Sequence, residues 1–276
     1  NFIRVYASGY SNNLNLLANE QWSIAQGNGN SNTLGNTGQW GLKFANTIVS
    51  STNIPVAIFN GAHGGRAISF FLSPTDYQIS LSSNYGRLYY RLNQTNLKDY
   101  VRAIFWSQGE KDSDIIESTT TNEYKTRFNQ LKNSWSIDYF NKEHIYIFQT
   151  KNGCDKSIEN LMGIKEAQRQ LAEENSDISI IPTAAMTHHT DNCHFPLVNG
   201  YEIFADRLSP IILRDFYNIP NSLDLDAPMI TNAYLTNNTQ LTIETDATTN
   251  LQISTIAEDF ELHSDNNATI TNISVS

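Results

Sequence analysis

Apolar positions along the chain change period several times, and each change marks an element. Residues 2–6, Phe-Ile-Arg-Val-Tyr, alternate apolar and polar side chains as a half-buried strand does. Residues 8–39 are rich in Asn, Gly and Ser and read as a long surface loop. From 39 to 51 the period becomes helical, with Trp40, Phe44, Ala45 and Ile48 at 3–4 spacing. Residues 54–59 then form a continuous apolar run, the pattern of a strand covered on both faces. A turn-rich stretch over 73–88 precedes a predicted helix at 88–100 and a strand at 101–106. Further helices are predicted at 122–139, 157–174 and 197–216, with strands at 144–149 and 178–182 between them.

Strands alternating with helices of this length predict an α/β domain, a doubly wound parallel sheet. After Pro220 the helical period is lost. Short apolar groups among Thr and Asn predict a small C-terminal β module, with a hinge at 224–228. The expected division is 1–222 and 223–276, with the module cut short at Ser276.

Composition narrows the function classes. Lys and Arg number 18 against 28 Asp and Glu, for a net charge of -10 and a pI of about 5.0. Scattered basic residues argue against a nucleic-acid groove, and the acidic balance against an anionic membrane surface. No apolar run approaches the roughly 20 residues of a membrane-spanning helix. The opening Asn1 suggests a processed or excised segment. Cys154 and Cys193 each follow a predicted strand end on one edge of the sheet, so a disulfide is expected, with two unrelated free thiols as the alternative. Sequons at Asn93, Asn237, Asn267 and Asn272 are compatible with secretion. A secreted, periplasmic or cell-surface location follows.

Ligands of doubly wound sheets bind at the carboxyl ends of the strands. Three polar motifs fall there: Gly64-Gly65, Gln108-Gly109-Glu110, and Asp191 with His194. An imidazole beside a carboxylate is the base of a nucleophilic hydrolase: the ring takes the nucleophile's proton and the carboxylate fixes its tautomer. His188 and His189 lie nearby, but their adjacency matches no zinc spacing, so neither a metal nor any other cofactor is expected. His63 and Arg66 read as surface side chains, able to meet a sugar hydroxyl or a carboxylate.

Four stretches resemble the SGNH-hydrolase superfamily, and within it carbohydrate esterases of the acetylxylan-esterase and sialate O-acetylesterase type. They are Gln39-Trp40-Gly41-Leu42, the Asn60 to Gly65 block, Trp106-Ser107-Gln108-Gly109-Glu110, and Asp191-x-x-His194-Phe195. The resemblance implies a flavodoxin-like three-layer sandwich. It also implies a serine esterase acting on acetylated carbohydrate, with His194 as base and Asp191 as its partner. The Gly65 N–H and the Gln108 amide would serve the oxyanion, and Glu110 would orient the loop. The nucleophile stays open. Ser11 in Gly9-Tyr10-Ser11-Asn12 matches the family's serine block, yet 1–6 resembles a stretch that follows that block, and Arg4 ill suits a strand buried on both faces. The other candidate is a serine on an upstream peptide. A catalytically incomplete, carbohydrate-binding relative is the alternative reading. Trp22, Trp40 and Tyr85 suit either sugar stacking or core packing.

Overall fold

The computed structural model describes residues 2–6, 20–27, 35–74, 80–151, 154, 156, 158–183, 186, 191, 193–221 and 225–247. Two compact units emerge, Asn1–Ala227 and Pro228–Ser276.

The first unit is α/β in three layers. Its strands are β1 (Ile3–Tyr6), β2 (Trp22–Ile24), β3 (Val56–Ile58), β4 (Ala103–Ser107), β5 (His144–Phe148) and β6 (Ile178–Ile181). Its helices are α1 (Gly41–Thr52), α2 (Asn84–Gln94), α3 (Thr121–Asp138), α4 (Ile158–Glu174) and α5 (Glu202–Tyr217). β5 shows why the run 144–149 is apolar throughout. Ile145 and Ile147 face one core with Tyr124, Phe128, Ile164 and Leu171 of α3 and α4. Tyr146 and Phe148 face the other, with Phe44 and Ile48 of α1 and Phe204 and Leu208 of α5. All four are at most 1% exposed, as a central strand between two helix layers requires.

Local chemistry sets the helix ends. Thr120 and Glu123 close a reciprocal capping box at α3, Ser83 caps α2 through the Gly86 N–H, and Asn53 ends α1 in the left-handed region. Several sequence expectations shift. The Asn-rich stretch 8–39 contains β2, paired antiparallel to β1 at Val5↔Ser23. The helix expected at 88–100 starts earlier, at Asn84, and ends at Gln94, with a short 3-10 turn at Lys98–Tyr100. The helix expected from 197 opens with an irregular turn, Leu197–Tyr201. Val198 is extended there and Asn199 left-handed (φ 64°), so regular helix begins only at Glu202.

The parallel ladder comes in two pieces. One sheet runs β2-β1-β3 and the other β4-β5-β6. β3 is parallel to β1, and β4, β5 and β6 are mutually parallel. No ladder joins β3 to β4. The second unit contains a hairpin of β7 (Ile230–Asn237) and β8 (Gln240–Thr245), with Tyr234 Oη donating to Glu244 Oε1 at 3.2 Å.

Candidate active site

The loop after β3 is held from below by buried arginine and amide groups. Arg91 Nη2 donates to the Asn60 carbonyl at 2.8 Å, and Asn84 Nδ2 to the Gly61 carbonyl at 2.8 Å. Burial pulls the Arg91 guanidinium down to about 10. Gly65 follows in the left-handed region, φ 68°, and a Cβ there would meet nothing within 4 Å. Its glycine therefore serves backbone conformation, not packing. Among the described residues its N–H makes no hydrogen bond, and it stands at the surface. Arg66 lays its guanidinium 4.9 Å from the Phe70 ring centroid, and His63 packs edge-on against the same ring.

The loop after β4 is the most densely bonded part of the site. Gln108 is 7% exposed. Its Nε2 donates to the Arg66 carbonyl at 3.0 Å and to Asp112 Oδ2, while Oε1 accepts from Tyr124 Oη at 3.1 Å. Both partners of Nε2 are acceptors, which fixes the amide's orientation and uses both its hydrogens. In this arrangement no side-chain hydrogen of Gln108 is left for an oxyanion. The side chain instead ties the β4 loop to the β3 loop.

Asp112, fully buried, completes that tie. It accepts from the Ile68 N–H at 2.8 Å and from Thr119 Oγ1 at 3.1 Å. Burial raises its pKa, and hydrogen bonds from Gln108, Ile68 and Thr119 oppose the rise. The sequence offers no periodic signal for Asp112; its role appears only when the two loops meet. Gly109 is needed on two counts. Its φ is 146°, and a Cβ would lie 2.5 Å from Thr150 Cγ2 and 2.8 Å from Ile164 Cγ2. Glu110 is half-buried, and burial raises its pKa; the nearby Asp112 charge adds to this, while its own backbone N–H and His194 oppose it.

On the third loop, Asp191 and His194 meet directly. Asp191 Oδ1 accepts from the backbone N–H groups of Cys193 and His194, each at 3.0 Å, and Oδ2 lies 2.7 Å from His194 Nδ1. The bond to the imidazole, with the two amides, holds the Asp191 carboxyl well below the usual carboxylate range. His194 is 69% exposed, so its Nε2 edge is open to a reactant. Cys193, between the pair, is bonded to Cys154 across 39 residues. Two residues on, Lys156 Nζ meets Asp114 Oδ2 at 2.8 Å, joining the disulfide segment to the loop after β4. Phe195 anchors the other side, 5.0 Å from Phe204 and 5.8 Å from Tyr201. Gly200 allows this tight turn, since a Cβ would come 2.7 Å from Pro196 Cδ.

The fold thus joins Gln108 to the Gly65 loop, pairs Asp191 with His194, and sets Glu110 within electrostatic reach of His194. Ser11, His188 and His189 lie outside the described residues. Of the aromatic candidates, Tyr85 is buried with its hydroxyl on Asp138 at 2.6 Å, and Trp40 packs against Phe44, Phe105 and Phe148. Trp22 is 45% exposed while touching Tyr6 and Phe59 edge-on.

Among solved structures, a carbohydrate acetylesterase from Xanthomonas citri superposes with a TM-score of 0.65 at 17% identity. The match covers 89% of this chain and 55% of that one, so the chain spans little more than half of the Xanthomonas protein. A protein from Arabidopsis thaliana superposes with a TM-score of 0.57 at 19% identity, covering 78% of this chain and 82% of that one. Both show the fold. No curated protein matches. The profile of one family matches residues 7–208, which include β2 to β6, all three loops and the start of α5. The chain belongs to the carbohydrate esterase family of sialic acid-specific acetylesterases.

Proposed function

We propose that this site hydrolyses O-acetyl esters on carbohydrate, sialic-acid-type sugars among them, through an acetyl-serine intermediate. The observation that carries the reading is the Asp191–His194 pair at 2.7 Å, exposed on the loop after the last parallel strand of a chain in this family. Asp191 holds the Nδ1–H tautomer, which leaves Nε2 as the acceptor for a serine proton. The serine oxygen attacks the acetyl carbonyl while its proton passes to Nε2. The tetrahedral intermediate collapses, the sugar oxygen leaves with that proton, and water repeats the sequence to release acetate and restore the serine. Ser11 and a serine on an upstream peptide are the two candidates for the nucleophile.

The Gly65 N–H, unbonded and at the surface, is suited to the developing oxyanion, where each preorganised donor contributes roughly 3 kcal/mol. Gln108 supports it indirectly, by fixing the backbone at Arg66. Glu110, whose carboxyl interacts electrostatically with His194, is suited to steady the imidazolium. The disulfide suits work in an oxidising compartment outside the cytoplasm.

Acetate release from O-acetylated sialic acid, acetylated xylo-oligosaccharides and p-nitrophenyl acetate tests this. The intact protein is expected to release acetate, with turnover unaffected by EDTA. Loss of turnover on chelation would replace the serine route with a metal-dependent one. A second reading rests on one observation: among the described residues, no hydroxyl is hydrogen-bonded to His194. A sugar-binding protein without turnover would bind the same glycans and release no acetate.

A further inference from the structure

We propose that the cleft running along α1 binds neutral sugar residues next to the acetylated one, so that the site takes a glycan chain and not a lone sugar. The inference rests on the esterase reading for the acetylated sugar, and on the cleft alone for its neighbours.

α1 begins beside the site. Trp40, just ahead of the helix, packs on Phe105 of β4 and on Phe148, the last residue of β5, at ring distances of 5.6 and 5.4 Å. Gly38 lies against the loop after β3, where a Cβ would stand 4.0 Å from Asn60 Nδ2. From that end a cleft of about 520 Å³ follows the helix, closed on the far side by Leu197 and Glu202. Its volume falls within the roughly 300–1,000 Å³ of clefts that enclose small ligands. The turn that follows His194 leaves helical geometry at Val198 and Asn199, and Leu197 stands there 52% exposed. The catalytic loop and the cleft are therefore one continuous surface.

The lining selects the ligand. Gln39, Asn46, Ser50 and Ser51 line the cleft, and among the described residues none of these side chains is hydrogen-bonded. Amides and hydroxyls both donate and accept, which matches the hydroxyl groups of a sugar. Leu42 and Leu197 supply apolar surface for the C–H faces of the rings. Lys43, the one ionisable residue of α1, is held by Asp206 Oδ2 at 2.6 Å. Glu202 is then the charge left in the cleft, and it disfavours an acidic chain.

Composition marks the same stripe. The lining positions of α1 recur at helical spacing on one side, and Asn46, Thr47, Ser50 and Ser51 are weak helix formers. The water-facing side of α4 is filled differently, with strong helix formers in ion pairs such as Arg169 with Glu166 and Glu173. A face of α1 that met only water would gain helix stability from residues of that kind.

The test is amide chemical-shift mapping of the intact protein with unacetylated hexasaccharides. The neutral probes are chains of xylose, of mannose, and of alternating galactose and N-acetylglucosamine; hexagalacturonate is the acidic one. At least one neutral chain is expected to shift the amides of Gln39, Asn46, Ser50 and Leu197. Asn46→Arg, which fills the cleft with a longer side chain of good helix propensity, should weaken that binding at least about 10-fold. Hexagalacturonate should bind at least about 10-fold more weakly than the neutral chain. No shift from any neutral chain, shifts confined to other surfaces, or equal binding of hexagalacturonate would overturn the proposal. So would equal kcat/KM for acetate release from the O-acetylated chain and from its O-acetylated monosaccharide, where at least about a 10-fold advantage of the chain is expected. Shifts along the cleft without acetate release from any substrate would uphold the cleft and sink the esterase reading instead.

Discussion

Asp112→Ala is the most informative single substitution at the base of the site. Asp112 is fully buried and accepts three hydrogen bonds, from Ile68 N–H, Thr119 Oγ1 and Gln108 Nε2. Removing it strands those donors unequally. The Thr119 hydroxyl can rotate to another acceptor, but the Ile68 N–H and one Gln108 hydrogen cannot. Each buried, unpaired donor costs about 1–3 kcal/mol, for about 2–6 together. Part of this is offset, because the substitution also removes a carboxylate whose burial is unfavourable and pushes its pKa up. A net loss of about 2–4 kcal/mol is expected, read as a lower urea midpoint at unchanged slope. Asp112→Asn keeps an acceptor for the two stranded donors and should stay within about 1 kcal/mol of the parent. Asp112→Ala unfolding within about 0.5 kcal/mol of the parent would refute the reasoning, since surface-like tolerance is incompatible with two buried orphaned donors.

Four substitutions in the loops have defined outcomes. Gly65→Ala meets open space and should cost only the left-handed penalty, about 1–2 kcal/mol by thermal or urea unfolding. Gly109→Ala combines a disfavoured φ with a clash on Thr150 and Ile164 and should cost more, about 2–6 kcal/mol. Equal costs would contradict the assignment. Cutting the Cys154–Cys193 link by the double serine substitution opens a loop of 39 residues, worth up to about 4 kcal/mol of chain entropy, and should lower the melting temperature. The Glu110 carboxyl titrates higher in the folded than in the unfolded protein, so its contribution to stability is full below its ordinary 4.5 and lost as pH rises through the raised value. Glu110→Gln should therefore gain stability relative to the parent between about pH 4 and pH 7; a gain in the opposite direction would contradict the burial argument.

What was legible in the sequence was what burial periodicity encodes. The run 144–149 reads as a strand, and Phe44, Ala45 and Ile48 as one face of a helix; both lie where the pattern put them. The Asp191-x-x-His194 spacing also carried its own geometry, because three residues of turn bring carboxylate and ring together. Short, weakly apolar pieces were not legible. Trp-Ser-Ile of β2 is too brief to stand out from an Asn- and Gly-rich stretch and owes its form to pairing with β1. The turn at Leu197–Tyr201 depends on Asn199 adopting a left-handed conformation inside an apolar pattern that reads as helix. The engagement of Gln108 was beyond reach for a different reason. Its partners Arg66, Asp112 and Tyr124 come from separate segments, and only their meeting shows that the amide has no free hydrogen. The interrupted ladder between β3 and β4 was equally hidden, since each strand reads normally by itself.

The central claim is that His194, held by Asp191, is the base for carbohydrate deacetylation. The direct measurement is kcat for acetate release from an O-acetylated sugar by the intact protein, compared with His194→Ala. The account predicts a fall of at least about 10³-fold with the fold and melting temperature preserved, because the exposed ring supports no core packing. Turnover in His194→Ala within a few-fold of the parent would contradict it.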